Sequence, residues 1–116
     1  MLDPAVLNEI RYAGERQVVS FVVEWMSAPT PDIYQNAVSR REKLERLRRF
    51  YDGVKRPLLD ELRLAGVQIQ DLPASPQAVV TCTGKEWQQL GLNGGPLEDT
   101  AVRVLPNAVF ESALAR

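Results

Sequence analysis

The chain has 116 residues, 45% of them apolar and 25% charged, and its net charge at neutral pH is −1. This balance is typical of one globular domain that is long enough to bury a core of its own. With no histidine and a single cysteine, Cys82, the sequence excludes a Ser-His-Asp or Cys-His catalytic centre, an internal disulfide and a cysteine-based metal site.

These exclusions favour a binding, regulatory or folding-assistance domain over an enzyme, and we predict no catalytic residue, cofactor or metal. Residues 1–4 are acidic and turn-like, unlike a signal peptide. No apolar run approaches the roughly 18 residues of a membrane span. We therefore expect no membrane partner, and a cytoplasmic location is compatible with the sequence, which does not otherwise indicate a compartment.

Residues 1–15 are predicted to form a helical N-terminal extension. Asp3 is a good N-cap and Pro4 suits the first helical turn. Apolar residues then recur at helical spacing, at Val6, Leu7 and Ile10. Gly14 is expected to end the helix. A strand over residues 10–12, turning at 13–14, is the alternative.

The clearest strand covers residues 17–25, where alternation assigns the side chains to two faces. Val19, Phe21, Val23 and Trp25 share one face. Val18, Ser20, Val22 and Glu24 share the other. Because the second face is still half apolar, the strand is expected to lie centrally in a sheet. Core packing at the strand end is favoured for Trp25 over a ligand-stacking role.

A long helix is predicted to follow, opened by the capping box Ser39-x-x-Glu42 and closed by Gly66. Its apolar residues recur every three or four positions and are expected to form the buried stripe: Leu44, Leu47, Tyr51, Val54, Leu58, Leu62 and Ala65. Pro57 cannot donate a helical hydrogen bond and crowds the carbonyl of Gly53. We expect a kink at residues 53–57, or two helices that meet there.

Residues 40–56 carry eight basic and three acidic residues, a net charge of +5. The candidate basic patch is Arg40, Arg41, Lys43, Arg46, Arg48 and Arg49. Such a block suits nucleic acid or an acidic partner, but it lacks the interleaved aromatic residues of a single-strand binder. A solvated helix face is favoured, with the i,i+4 pairs Glu42–Arg46 and Glu45–Arg49. Nucleic-acid binding therefore ranks last among the hypotheses.

The second half of the chain predicts a hairpin of strands at 67–72 and 78–82, turning at 73–76. A second capping box, Thr83-x-x-Glu86, opens a short helix with Trp87 inward and Gly91 at its end. Leu90 is expected to face inward from the same helix. A fourth strand is predicted over residues 101–105. Cys82 follows the inward alternation of the third strand and is interpreted as a small buried hydrophobe. A reactive thiol would need a neighbouring cation, for which Lys85 is the local candidate.

The order strand, helix, strand, strand, helix, strand predicts an α+β fold, a ferredoxin-like split β-α-β-β-α-β sandwich over residues 16–110. Its four-stranded antiparallel sheet would have the order 4-1-3-2, with two helices on one face. Residues 111–116 are predicted to form a C-terminal tail. The other sheet face stays open as a docking surface, and its predicted docking residues are Val18, Ser20 and Val22.

Residues 66–110 resemble the propeptide domains of subtilisin-like serine proteases and their stand-alone inhibitor relatives. Two segments carry the resemblance: residues 75–90, which read SPQAVVTCTGKEWQQL, and residues 102–107, which read VRVLPN. The first strand and long helix suit the same topology without specific motifs. Three features differ from the family pattern: the long helix with Pro57, the longer loop at 93–99 and the N-terminal extension.

The resemblance implies a non-enzymatic inhibitor or intramolecular chaperone whose partner is a subtilisin-like serine protease. In that family the open sheet face docks on two helices of the protease, and the C-terminal tail enters the substrate cleft as an added strand. The tail residues here would be Ala113, Leu114, Ala115 and Arg116, with Arg116 beside the catalytic serine. A frayed chain end is the alternative for the tail. A regulatory module that binds another protein or forms a homodimer through the sheet face is the alternative for the chain.

Overall fold

The computed structural model describes residues 2–91, 95–98 and 101–107. The described helices are α1 (Pro4–Tyr12), α2 (Arg40–Leu64) and α3 (Gly84–Gly91), with short 3₁₀ helices at Pro31–Tyr34 and Pro96–Glu98. The strands are β1 (Val18–Trp25), β2 (Gln68–Asp71), β3 (Gln77–Thr83) and β4 (Val102–Pro106). The fold is therefore α+β, as the order of sequence patterns predicted.

The four strands form one antiparallel sheet in the order β2-β3-β1-β4. The predicted strand order 4-1-3-2 is confirmed. β1 lies centrally, where Val23 pairs with Ala78 on β3 and with Val104 on β4. On the β4 edge, Leu2 adds a parallel bridge to Val104, and the backbone N–H of Asp3 donates to the Val104 carbonyl at 3.0 Å. The N-terminal segment thus covers part of that edge.

The core lies on one face of the sheet, and α1, α2 and α3 all contribute to it. Its buried side chains include Val6, Ile10, Phe21, Val23, Trp25, Leu59, Leu62, Ala78, Val80, Cys82, Trp87, Leu90, Val102 and Val104. The predicted facing of β1 is confirmed, because Phe21, Val23 and Trp25 belong to this core while Val19 packs partly against it. Trp25 is 5% exposed, in agreement with a packing role at the strand end.

Trp87 joins α3 to the sheet. Its ring meets Phe21 edge-on, with centroids 4.8 Å apart and planes inclined by 67°, the arrangement that aromatic quadrupoles favour. Its indole N–H donates to the Val19 carbonyl at 2.9 Å. A fully buried tryptophan is therefore satisfied at both its apolar surface and its polar atom.

Local helix signals in the sequence agree with the structure at most termini. The side chain of Asp3 accepts from the Ala5 N–H at 2.9 Å, and Pro4 is the first residue of α1. The capping box of α3 is reciprocal: the Glu86 carboxylate accepts from the Thr83 N–H at 3.0 Å, and the Thr83 hydroxyl accepts from the Glu86 N–H at 3.3 Å. Helix α1 ends at Tyr12 with Ala13 as its C-cap, so Gly14 follows the cap directly and its predicted role at the end of the helix is confirmed, whereas the alternative strand over 10–12 is wrong.

Helix α2 differs most from expectation. It runs without interruption through Pro57, so two separate helices are excluded. The predicted stripe is partly wrong: Leu44 is 50% exposed, whereas Lys55 and Leu59 face inward at 1% and 4%. At the other end Gly66 follows the helix at φ 79°, the left-handed conformation that makes glycine the favoured residue after a helix.

The two predicted i,i+4 ion pairs are wrong as well. Within the described part of the chain, Arg46 donates to the carbonyls of Ile33 (3.2 Å) and Gln35, which ties the preceding loop to α2. Glu42 accepts from the Val38 N–H at 2.9 Å. Both side chains thus bind backbone groups of the loop before α2. The i,i+4 spacing rule considers only partners on the same helix, so it could not predict these contacts.

Candidate docking face of the sheet

The face of the sheet opposite the helices, called the outer face below, is formed by alternate residues of all four strands. They are Val18, Ser20, Val22 and Glu24 on β1, Gln68 and Gln70 on β2, Gln77, Val79, Thr81 and Thr83 on β3, and Arg103 and Leu105 on β4. Since alternate strand residues point to opposite faces, none of these side chains belongs to the core cluster.

A charged row crosses the outer face near the carboxyl end of β1. Glu24 lies directly opposite Gln77 on β3 and Arg103 on β4. Its carboxylate accepts from the Gln77 amide at 2.9 Å and from the Arg103 guanidinium. The Gln77 hydrogen bond is the largest cause that lowers the pKa of Glu24; Arg103 lowers it further, against burial, which raises it. The row is thus an ordered, charge-balanced part of the surface.

An apolar row and a hydroxyl row lie beside it. Val22 pairs with Val79 on one side and with Leu105 on the other, and Val79 in turn pairs with Gln70. One step further along the strands, the Ser20 and Thr81 hydroxyls are 2.6 Å apart, within hydrogen-bond distance. The outer face therefore has an apolar row in the middle. The polar row on each side of it contains side chains that hydrogen-bond to one another within that row.

The three predicted docking residues share this face but differ in exposure. Val18 is 63% exposed at the beginning of β1, Ser20 is half-buried, and Val22 is 2% exposed. Val79 and Leu105, both half-buried, present the apolar row beside Val22. The predicted tail residues Ala113, Leu114, Ala115 and Arg116 lie outside the described residues.

The six residues of the predicted basic patch differ in their contacts. Arg46 binds loop carbonyls, and Arg41 pairs with Glu45 at 3.9 Å. The other four, Arg40, Lys43, Arg48 and Arg49, are exposed and make no ion pair with any described residue. Arg48 and Arg49 line a cavity beside α2, whereas Arg40 and Lys43 do not.

Cys82 is 5% exposed in the core, which confirms its prediction as a small buried hydrophobe. Burial, and to a smaller extent the charge of Glu86, raises the pKa of its thiol to about 12. Among the described residues, no three Cys, Asp or Glu side chains lie where they could share a metal ion. None of the described helices combines the length and apolar character needed to cross a membrane.

Two polar features escaped the sequence analysis. Alternation placed Glu24 on the outer face, but its partners Gln77 and Arg103 follow from strand pairing across 53 and 79 residues. The second is Lys55, whose ammonium is buried and hydrogen-bonded to the β2–β3 hairpin. The sequence shows Lys55 among the apolar residues of α2. Burial was not predicted from this position, because lysine is almost never fully buried unless it is paired.

Comparison of the chain with protein-family models, curated proteins and solved structures finds no match. The geometry of the outer face and the resemblance of residues 66–110 are therefore the two observations that bear on function.

Proposed function

We propose that this chain is a non-enzymatic protein-binding domain of ferredoxin-like fold that docks by its outer face on a subtilisin-like serine protease. The proposal places residues 113–116 in the substrate cleft as an added strand, which makes the domain an inhibitor or folding chaperone of the protease. The observation that carries the docking surface is the placement of all three described α-helices on one side of the sheet.

The composition of the outer face supports protein binding. Interfaces between proteins combine an apolar centre with a polar rim. Here the accessible apolar surface comes from the half-buried Val79 and Leu105, on either side of the 2% exposed Val22, and it lies between the charged row of Glu24 and the hydroxyl row of Ser20. Because these polar groups have partners within the face, a partner that covers it leaves few of them unsatisfied.

The size of the face supports a shared role with the tail. The four strands comprise 24 residues, which at normal strand spacings correspond to about 400 Å² of flat area. A standard interface buries about 800 Å² on each partner. The sheet alone is about half of that, and the proposal assigns the remainder to the C-terminal residues and loops.

The test is inhibition of a panel of subtilisin-like proteases by the full chain, with a variant that lacks residues 113–116 as the comparison. We expect slow-onset, sub-micromolar inhibition by the full chain. The shortened variant should lose inhibition but retain weaker binding to the protease, measured by surface plasmon resonance. Failure of the full chain to inhibit any member at high micromolar concentration would overturn the proposal.

A homodimer through the outer face is the competing interpretation, and light scattering coupled to size-exclusion chromatography separates the two. A monomer that binds and inhibits a protease supports the inhibitor. A stable dimer without inhibition supports the regulatory module, because the same surface is then occupied by a second copy.

A further inference from the structure

A cavity of about 370 Å³ lies between α2 and the turn that joins β2 to β3. Its size is at the lower end of the range typical of small-molecule sites. Arg48, Arg49 and Tyr51 line it from the helix, and Pro73 and Ala74 line it from the turn. It is on the helix side of the molecule and shares no lining residue with the outer face.

The charges around the cavity leave two arginines uncompensated. Asp71 is neutralised by Lys55, 2.8 Å away, and Asp52 by Arg56 one helical turn further on. Arg48 and Arg49 have no acidic partner among the described residues. The lining therefore has a net positive charge, supplied by two guanidinium groups free to donate to a ligand.

Tyr51 adds a neutral donor and an apolar surface. The residue is 7% exposed, and within the described part of the chain its hydroxyl has no hydrogen-bond partner. That hydroxyl is not among the buried polar atoms that lack a partner, so it retains contact with solvent. Tyr51 and Pro73 thus line the same cavity as Arg48 and Arg49.

The turn that forms the opposite wall is held in place. Lys55 donates to the carbonyls of Leu72 (3.0 Å) and Gln77 (2.7 Å), one on each side of the turn. Ala74 adopts φ 60°, a left-handed conformation rare for a residue with a side chain. Strained backbone of this kind persists where the surroundings hold it, and a wall formed before binding reduces the entropy cost of binding.

We propose that this cavity binds a small phosphomonoester through Arg48, Arg49 and Tyr51. Guanidinium groups bind phosphate oxygens through forked, charge-assisted hydrogen bonds. A phosphomonoester presents three terminal oxygens, enough for both arginines and the phenol, whereas a carboxylate presents two. The ring of Tyr51 and the Pro73 surface suit an apolar or planar body on the ester.

The experiment is a titration of the ¹⁵N-labelled full chain with phenyl phosphate, inorganic phosphate and benzoate at constant ionic strength, followed by amide chemical shifts. Shifts from phenyl phosphate are expected in residues 48–55 and 71–74. Benzoate is expected to bind about tenfold more weakly, because it supplies one oxygen fewer and a single charge. Inorganic phosphate should shift the same amides at higher concentration.

The variant R48Q/R49Q should lose at least about tenfold in affinity for phenyl phosphate. R40Q/K43Q removes the same two charges from exposed positions of α2 outside the cavity and should change affinity by less than about twofold. Y51F should weaken binding while preserving the dispersed amide spectrum of the folded chain. Absence of localised shifts, equal losses in R40Q/K43Q and R48Q/R49Q, or equal affinity for benzoate would each overturn the proposal.

Discussion

The ammonium of Lys55 lies 2.8 Å from Oδ1 of Asp71, and this pair joins the middle of α2 to the end of edge strand β2. The same nitrogen donates to the carbonyls of Leu72 and Gln77, so three acceptors match its three N–H groups. It also lies 5.7 Å from the centroid of the Trp25 ring, within the range of a cation–π interaction. The Lys55 side chain is 1% exposed.

Replacement of Lys55 by methionine is therefore expected to destabilise the fold by about 3 kcal/mol, because a carboxylate and two carbonyls lose their donor. Urea unfolding measures the effect. D71N should cost less, because the asparagine side-chain oxygen can still accept from Lys55 and the two backbone carbonyl acceptors remain. K43M removes an exposed lysine of the same helix and should stay within about 0.5 kcal/mol of the parent. Equal stability of K55M and K43M would contradict the proposed role of Lys55.

The charged row of the outer face predicts a pH dependence of stability. Because the folded-state pKa of Glu24 lies below its usual value of 4.5, its contribution is complete above that value and is lost as the pH falls through the folded-state pKa. E24Q should therefore show a flatter decline in the free energy of unfolding below about pH 4.5 than the parent.

Both partners of Glu24 are expected to contribute to this pH dependence. Q77A and R103Q should each make the profile flatter than that of the parent, because the Gln77 hydrogen bond is the largest cause of the lowered pKa and Arg103 lowers it further through its hydrogen bond and its charge. Urea titrations at several pH values between 3 and 7 measure both variants. A profile as steep as that of the parent in either variant would contradict the assigned role of that partner.

Burial predicts that Cys82 is unreactive in the folded chain. With a thiol pKa of about 12, the thiolate fraction at pH 8 is about one in ten thousand, and the residue is 5% exposed. Labelling by Ellman's reagent should be much slower than that of a free thiol and should accelerate on addition of denaturant. Rapid labelling under native conditions would show that the site opens without global unfolding.

A charge placed at Val18, an exposed position of the outer face, tests whether this face docks on a partner. V18D adds a carboxylate where a docked partner would desolvate it, so binding to the protease should weaken by at least about tenfold. V38D makes the same change at a residue that is 87% exposed in the loop before α2, and it should leave binding unchanged. Circular dichroism verifies that both variants fold. Equal affinity of V18D and the parent would exclude this part of the face from docking.

The two capping boxes should differ in their contribution to stability. At α3 the Thr83 hydroxyl accepts from the Glu86 N–H while Glu86 accepts in return, whereas at α2 Ser39 accepts from Glu42 at an exposed terminus without the return bond. T83A is expected to cost about 1.5 kcal/mol and S39A about 0.5 kcal/mol. Thermal unfolding measures both, and a larger loss in S39A would refute the comparison.

Features that depend on neighbours in the chain were predictable from the sequence. The alternation over residues 17–25 identified which side of β1 faces the core, and the residues around Ser39 and Thr83 located two helix starts. The strand order also followed, because short connections and right-handed crossovers leave few arrangements for this order of elements. The strand alternation and the helix-start signals are local, and the element bounds in the structure agree with them within a residue or two.

The inward side of α2 was decided by tertiary contacts. Apolar spacing alone predicted a stripe through Leu44, yet the helix turns Lys55 inward because its ammonium meets acceptors 16, 17 and 22 residues away. The partners of Glu24 and Arg46 likewise come from other elements. Periodicity thus identified the elements, whereas the pairing of buried charges and the cavity beside Arg48 arise when those elements pack, since both depend on distances between residues that the chain brings together only by folding.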